Sequence, residues 1–350
     1  MRIYHLLFLA LFAFSSCEKA FLGPDAENTP ESNFELFWED FDRNYGLFTA
    51  RGWNWDSMYT AYRHRVSPQT SRTELWSMFK EMTAYLDDSH TFLYDPEVGE
   101  FFASGSEMDS IVELEFSLNL LQASYLENIT QHGDPTDDDV YMHAKVRGRD
   151  IGYIYLDGID ADNPKEMIES MVEGIEDYAA LVLDLRNNGG GDDLTAATFA
   201  SRFADGEHLI YTVEERNGPE HDDFSNPIQY FSTMDGDQRY TKPLVVLTDR
   251  ITVSAAEVFL LHLKSFDQVS QIGDSTAGDF SDIGMRRFLP NGMQYPYSIM
   301  RFRDANGQVL DGIGHVPNIQ IRNTPADIEA NIDVVMDRAL QFLFDEYGIQ

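Results

Sequence analysis

The chain has 350 residues, with 60 Asp and Glu against 25 Lys and Arg, for a net charge of −35. That excess repels phosphate backbones and anionic membranes wherever no basic cluster intervenes, and the sequence contains none, which argues against nucleic acid as a partner. Hydrophobic residues at 43% and aromatics at 13% place it outside the disordered range, and the length predicts one large α/β unit with a helical appendage.

The chain begins with Arg2, an apolar run over residues 6–14, then Ser15 and Ser16 directly before Cys17. This is the pattern of a secretion signal over residues 1–16. The run is too short to remain as a membrane-spanning helix, which needs ~20 apolar residues. Cys17 is the sole cysteine, so no intrachain disulfide can form. A single Cys after small residues at the end of a signal resembles a bacterial lipobox, although Phe14 stands where such boxes usually have Leu. The resemblance implies a lipid anchor at Cys17 in a bacterial envelope membrane, most naturally the outer membrane. The alternative is an ordinary cleaved signal with an incidental thiol. Residues 17–32, polar and carrying Pro24 and Pro30, read as the tether between anchor and fold.

Three amphipathic helices are predicted between residues 31 and 87. Phe34, Phe37, Trp38, Phe41 and Tyr45 recur at spacings of three and four, as do Trp55, Met58, Tyr59 and Tyr62, then Leu75, Met78, Phe79, Met82 and Leu86. Ser71 ahead of Glu74 forms a capping box for the third. Together they make an N-terminal helical subdomain over 33–91 that carries His90. A connecting segment over 92–146 contributes some strands.

The remainder, 147–350, reads as an α/β core. Strands at 151–156, 180–185, 244–247 and 271–273 alternate with helices at 164–178, 194–203 and 254–264, which predicts a mainly parallel sheet with helices packed on it. Two Asn-Gly hairpins are expected, one around Pro290-Asn291-Gly292 and one around Asp304-Ala305-Asn306-Gly307. A single closing helix, with Pro325 in its first turn, is expected to bury Ile328, Ile332, Val335, Met336, Ala339, Phe342 and Leu343.

Four short stretches can carry chemistry. Thr252-Val253-Ser254-Ala255-Ala256-Glu257 lies between a buried strand and a helix, where a serine hydroxyl projects at the sheet edge beside unsatisfied helix amides. The same Ser is equally readable as a helix cap. Asp184-Leu185-Arg186-Asn187-Asn188-Gly189-Gly190-Gly191 follows another buried strand. Its glycines let a substrate backbone approach and turn amides toward a developing oxyanion. A flexible turn is the rival reading; a phosphate cradle is disfavoured because Asp192 and Asp193 follow. Leu86-Asp87-Asp88-Ser89-His90-Thr91 offers a histidine flanked by hydroxyls, a candidate general base. Leu310-Asp311-Gly312-Ile313-Gly314-His315-Val316-Pro317 alone reads as a turn into a final strand. A metal centre is not expected: there is no His-x-x-x-His and no clustered Cys, and acidic runs such as 137–139 read as solvated loops.

In this order the four stretches resemble the tail-specific (C-terminal processing) protease, tricorn core and interphotoreceptor retinoid-binding protein family of serine peptidases, over nearly the whole chain from Phe34 to Leu343. The resemblance implies a crotonase/ClpP-like α/β core. The PDZ module many members insert is not expected here, since the space between His90 and Gly152 is too small. Members with a Ser-Lys dyad carry the lysine about 25 residues after the serine; Asp279 occupies that place here. The resemblance is therefore to the tricorn branch. By that branch Ser254 is the nucleophile, His90 the base, and Ser89 and Asp311 orient them, with Asp311 standing where Glu is usual. Gly189 or Gly190 and Ala255 supply the oxyanion hole, and no cofactor is needed. The implied substrate is a peptide or unfolded protein. Two other classes are compatible with parts of the pattern: an inactive ligand- or peptide-binding lipoprotein on the same fold, and a crotonase-type thioester enzyme, whose substrate an exported protein would not meet.

Overall fold

The computed structural model describes residues 26–105, 113–133, 140–236 and 239–350. The signal segment, Cys17 and the tether up to residue 25 lie outside the described residues, as does the acidic stretch 134–139.

Helix α1 (Pro30–Asn44) starts where Thr29 accepts the Ser32 amide at 3.1 Å, with Pro at the first helical position. Its apolar spacing buries Phe34, Phe37 and Phe41 completely. A one-turn helix α2 (Phe48–Arg51) stops at Gly52, whose φ of 72° favours glycine. Next come α3 (Asp56–Tyr62) and α4 (Arg72–Ala84), the latter opened by the predicted Ser71–Glu74 capping box. Strands β1 (Phe92–Asp95) and β2 (Glu100–Ala103) follow as a hairpin. The helical subdomain does not close on itself. Leu289, Met293, Tyr295 and Tyr297, about two hundred residues later, complete its core, with Phe41 and Tyr297 rings 4.6 Å apart.

The main sheet uses β3 (Leu126–His132), β4 (Tyr141–Val146), β5 (Ile151–Leu156), β6 (Ala180–Asp184), β9 (Leu244–Thr248), β10 (Val269–Gly273) and β14 (Ile319–Gln320). Their order is β14-β10-β9-β6-β5-β4-β3, parallel from β14 to β5 and antiparallel through β4 and β3. Every residue of β5, β6 and β9 is buried, as unbroken apolar runs require of strands covered on both faces. One face is covered by α5 (Pro164–Ile175), α6 (Asp193–Ala200) and α7 (Ala255–Leu263). The other is covered by the last helix.

Two expectations need correction. The second hairpin makes its turn, with Asp304 N–H donating to the Gln308 carbonyl at 2.9 Å, but residues 308–310 form no strand. Strand β13 (Met300–Asp304) pairs instead with β7 (Leu209–Glu215), which pairs with β8 (Ile228–Phe231), two strands not anticipated. Cross-strand chemistry selects that partner: Arg301 and Arg303 both reach the Glu214 carboxylate, and Phe302 stacks on Tyr211 at 5.4 Å. The closing helix is likewise two pieces, α8 (Pro325–Glu329) and α9 (Val334–Tyr347). The break serves Asp333, which caps α9 and, fully buried, accepts two hydrogen bonds from Arg186 Nη1 at 3.0 and 2.9 Å. Ile332 is thereby turned outward, 42% exposed. A buried guanidinium between Asp184 and Asp333 outweighs helix continuity because an unpaired charge there costs several kcal/mol, roughly 3–5.

Candidate active site

The turn from β9 into α7 puts Ser254 at φ 61°, ψ −127°. A non-glycine residue held there costs about 1–3 kcal/mol and persists only where its surroundings impose it. They do so through main-chain bonds. The Ser254 N–H donates to the Asp279 carbonyl at 3.1 Å and, more weakly, to Glu257 Oε2 at 3.3 Å. Glu257, fully buried, also accepts from Thr276 Oγ1 (2.5 Å), Gly278 N (2.8 Å) and Asp279 N (2.9 Å). One carboxylate thus fastens the nucleophile turn to the 276–279 loop. Burial pushes its carboxyl up to about 8, against the pull of those donors on the charged form. Glu257→Gln substitutes an NH2 for one acceptor oxygen and faces it with N–H groups. It is expected to lower unfolding free energy by about 2–3 kcal/mol, measured by denaturant titration; an unchanged midpoint would mean that the turn is held elsewhere.

The glycine loop lies against this turn. A Cβ on Gly190, which sits at φ 89°, would fall 2.7 Å from Ser254 Cβ and 2.8 Å from the Val253 carbonyl oxygen. Asn188, fully buried, orders the loop: its Nδ2 donates to the Leu156 carbonyl at 2.8 Å, and its Oδ1 accepts from Gly190 N at 2.9 Å. The Val253 N–H in turn donates to the Asn188 carbonyl at 3.2 Å. Of the three predicted oxyanion donors, the Gly190 amide is therefore already engaged, and Gly189 makes a long 3.3 Å bond to the Asp157 carbonyl. The Ala255 amide, in the first turn of α7, has no partner among the described residues. What Gly190 contributes is room.

The histidine arrives on the loop after α4, entered through Asp87 at φ 47°. Asp88, fully buried, builds that loop by accepting from His90 N (3.0 Å), Thr91 Oγ1 (3.1 Å) and Tyr45 Oη (2.8 Å). His90 is 5% exposed, and its Nδ1 is buried without a partner among the described residues. Ser89 donates its N–H to Asp279 Oδ2 at 3.2 Å. Asp279 therefore touches both halves: its carbonyl takes the Ser254 amide and its carboxylate takes the Ser89 amide. The two loops carrying the predicted nucleophile and base, 164 positions apart, are joined through one residue. Burial raises the carboxyl of Asp282, further along this chain segment, and the His90 imidazole pulls it back.

Asp311 is buried against the 279–281 turn. Its Oδ1 accepts from Phe280 N (3.1 Å), Ser281 N (3.2 Å) and Ser281 Oγ (3.1 Å), while Oδ2 is buried with no partner among the described residues. Burial pushes its carboxyl up to about 7. It makes no hydrogen bond to Ser89 or His90 among the described residues; it shapes the 279–281 turn. Ser89 likewise meets the site by its main chain. A cleft of about 810 Å³ opens beside the nucleophile turn, bordered by Ser89, Gly189, Val253, Asp279, Trp53 and Arg250. Among the described residues no group of three or more His, Cys, Asp or Glu is arranged to hold a metal.

Sequence reasoning passed over Arg51, whose guanidinium reaches the Asp87 carbonyl, the Gly278 carbonyl at 3.0 Å and the Asp279 carboxylate. An Arg at the end of a four-residue helix gives no signal. Asp88 and Asn188 did lie within the motifs quoted above, and their burial as local acceptors is what the structure adds.

Residues 150–321 match the model of peptidase family S41, and residues 26–84 match the tricorn protease C1 domain. The chain is 25% identical over 181 residues to the carboxy-terminal processing protease CtpA of Bacillus subtilis (strain 168), covering 51% of this chain and 36% of that protein. It spans less than half the length of the curated relatives it matches. Among solved structures, a candidate peptidase from Parabacteroides merdae ATCC 43184 superposes with TM-score 0.81 at 25% identity, covering 91% of this chain and 97% of that one. The tricorn protease shares the fold, with TM-score 0.56 at 15% identity over 91% of this chain and 36% of that one. The chain thus carries a peptidase family S41 domain over its core and a tricorn protease C1 domain over its N-terminal helices.

Proposed function

We propose that the chain hydrolyses peptide bonds as a serine peptidase, with Ser254 as nucleophile and His90 as general base. The observation that carries this reading is Ser254 on a strained strand-to-helix turn whose anchoring residue, Asp279, also holds the His90 loop. Ser254 Oγ attacks the carbonyl carbon as its proton passes to His90. The tetrahedral oxyanion forms beside the unpartnered Ala255 amide; one such donor is typically worth ~3 kcal/mol of barrier. Collapse breaks the C–N bond, and the imidazolium protonates the leaving amine. Water, deprotonated by His90, then releases the acyl group and regenerates Ser254. Substrates are peptides or unfolded proteins entering the cleft beside Val253.

Cys17 and the polar segment between it and α1 support an exported protein held by lipid at a bacterial envelope membrane. Cys17→Ser is expected to shift the protein from the membrane to the soluble fraction of a bacterial host; retention in the membrane fraction would count against the anchor.

Activity is tested by treating folded protein with a fluorophosphonate at neutral pH and reading intact mass. One adduct, absent from Ser254→Ala, is expected. A folded wild type that stays unmodified would replace the enzyme reading with that of a binding protein on the same fold.

A further inference from the structure

Arg51 belongs to the N-terminal helical subdomain, yet its side chain, 5% exposed, ends between the two loops of the site. Nη1 donates to the Asp87 carbonyl, three residues before His90. Nη2 donates to the Gly278 carbonyl at 3.0 Å and to Asp279 Oδ1. The other carboxylate oxygen of Asp279 takes the Ser89 amide at 3.2 Å, and its carbonyl takes the Ser254 amide at 3.1 Å. The stem is fixed as well: a Cβ on Gly312 would lie 3.2 Å from Arg51 Cγ.

We propose that Arg51 and Asp279 form a positioning pair that sets the separation of base and nucleophile, so that the helical subdomain controls the competence of the core. The inference rests on the peptidase reading above. A planar guanidinium suits the task because it addresses two carbonyls and a carboxylate from one rigid fork, whereas an ammonium on a flexible stem cannot hold the three at once. The pair also explains the Asp at position 279. A lysine there would place two cations side by side. The charged and titratable groups packed around Asp279 are Arg51, Asp88, His90, Glu257 and Asp311.

The test uses the full chain as Arg51→Ala, Arg51→Lys and Asp279→Asn, with rates of fluorophosphonate labelling of Ser254, kcat and KM on a denatured-protein substrate, and the melting temperature. Arg51→Ala is expected to slow labelling and kcat more than tenfold with KM changed less than threefold, and Arg51→Lys to recover only part of the loss. Asp279→Asn weakens the hold of the guanidinium while keeping the main-chain bond to Ser254, and is expected to slow labelling and kcat by about fivefold or more with KM changed less than threefold. A merely structural role would lower the melting temperature while leaving kcat of the folded protein unchanged. If wild type labels and folded Arg51→Ala labels within twofold of it, or if folded Asp279→Asn keeps the wild-type labelling rate and kcat, the pair does not position the site. If wild type itself fails to label, the peptidase reading is what has failed. Should Arg51→Ala not fold, Arg51→Lys and Asp279→Asn give the same decision.

Discussion

Peptide hydrolysis by Ser254→Ala is expected to fall by about 10⁴- to 10⁶-fold, with His90→Ala close behind and the double variant no worse than the poorer single. The non-additivity is the informative part. On the proposed mechanism, loss of Ser254 Oγ leaves no nucleophile for His90 to activate and loss of His90 leaves the hydroxyl its proton, so either loss disables the same step. Both side chains sit on loops whose geometry is set by other groups: Glu257 and Asp279 hold the serine turn, and Asp88 holds the histidine loop. The folded state should therefore survive both substitutions; removing Ser254 Cβ substituents from a φ of 61° leaves the same main-chain strain in place. Steady-state kinetics with circular dichroism on each variant checks this. Additive losses would assign the two residues to separate steps.

Gly190→Ala carries the second large effect. The added methyl would lie 2.7 Å from Ser254 Cβ, 2.8 Å from the Val253 carbonyl and 3.1 Å from Ala255 N, all of them main chain or the root of the nucleophile. None of these is the free end of a flexible chain, so the turn itself must move, at a position whose φ of 89° already disfavours alanine. A shift of about 1 Å in the nucleophile or its amide costs on the order of 10²-fold in rate. A hundredfold fall in kcat is expected, together with about 1–3 kcal/mol of stability. Gly189→Ala is the control, because a Cβ there meets nothing within 4 Å. Equal kinetics for the two variants would refute the packing account.

Periodicity alone located the N-terminal helices and the buried parallel strands, because helix faces and doubly covered strands write their burial directly into residue spacing. Glycines, Ser254 and His90 stood out because the chemistry needs those residue types next to strand ends. Strands β7 and β8 left no such trace: β8 is exposed at every residue and β7 only half covered, so neither shows a clean apolar period. The split of the closing helix was equally illegible, since Asp333 draws its meaning from Arg186, 147 positions earlier.

Local sequence, then, determined most of the helices and the buried parallel strands, the order of the candidate motifs, and which residues are candidates for nucleophile and base, all of which depend on neighbours a few positions apart. Tertiary structure alone decided that Gly190 contributes space while its amide serves Asn188, that Asp311 shapes a turn, and that Arg51 and Asp279 join the two halves of the site. The physical reason is that hydrogen-bond partners and close contacts between residues far apart in the chain exist only after folding has brought them into one buried volume.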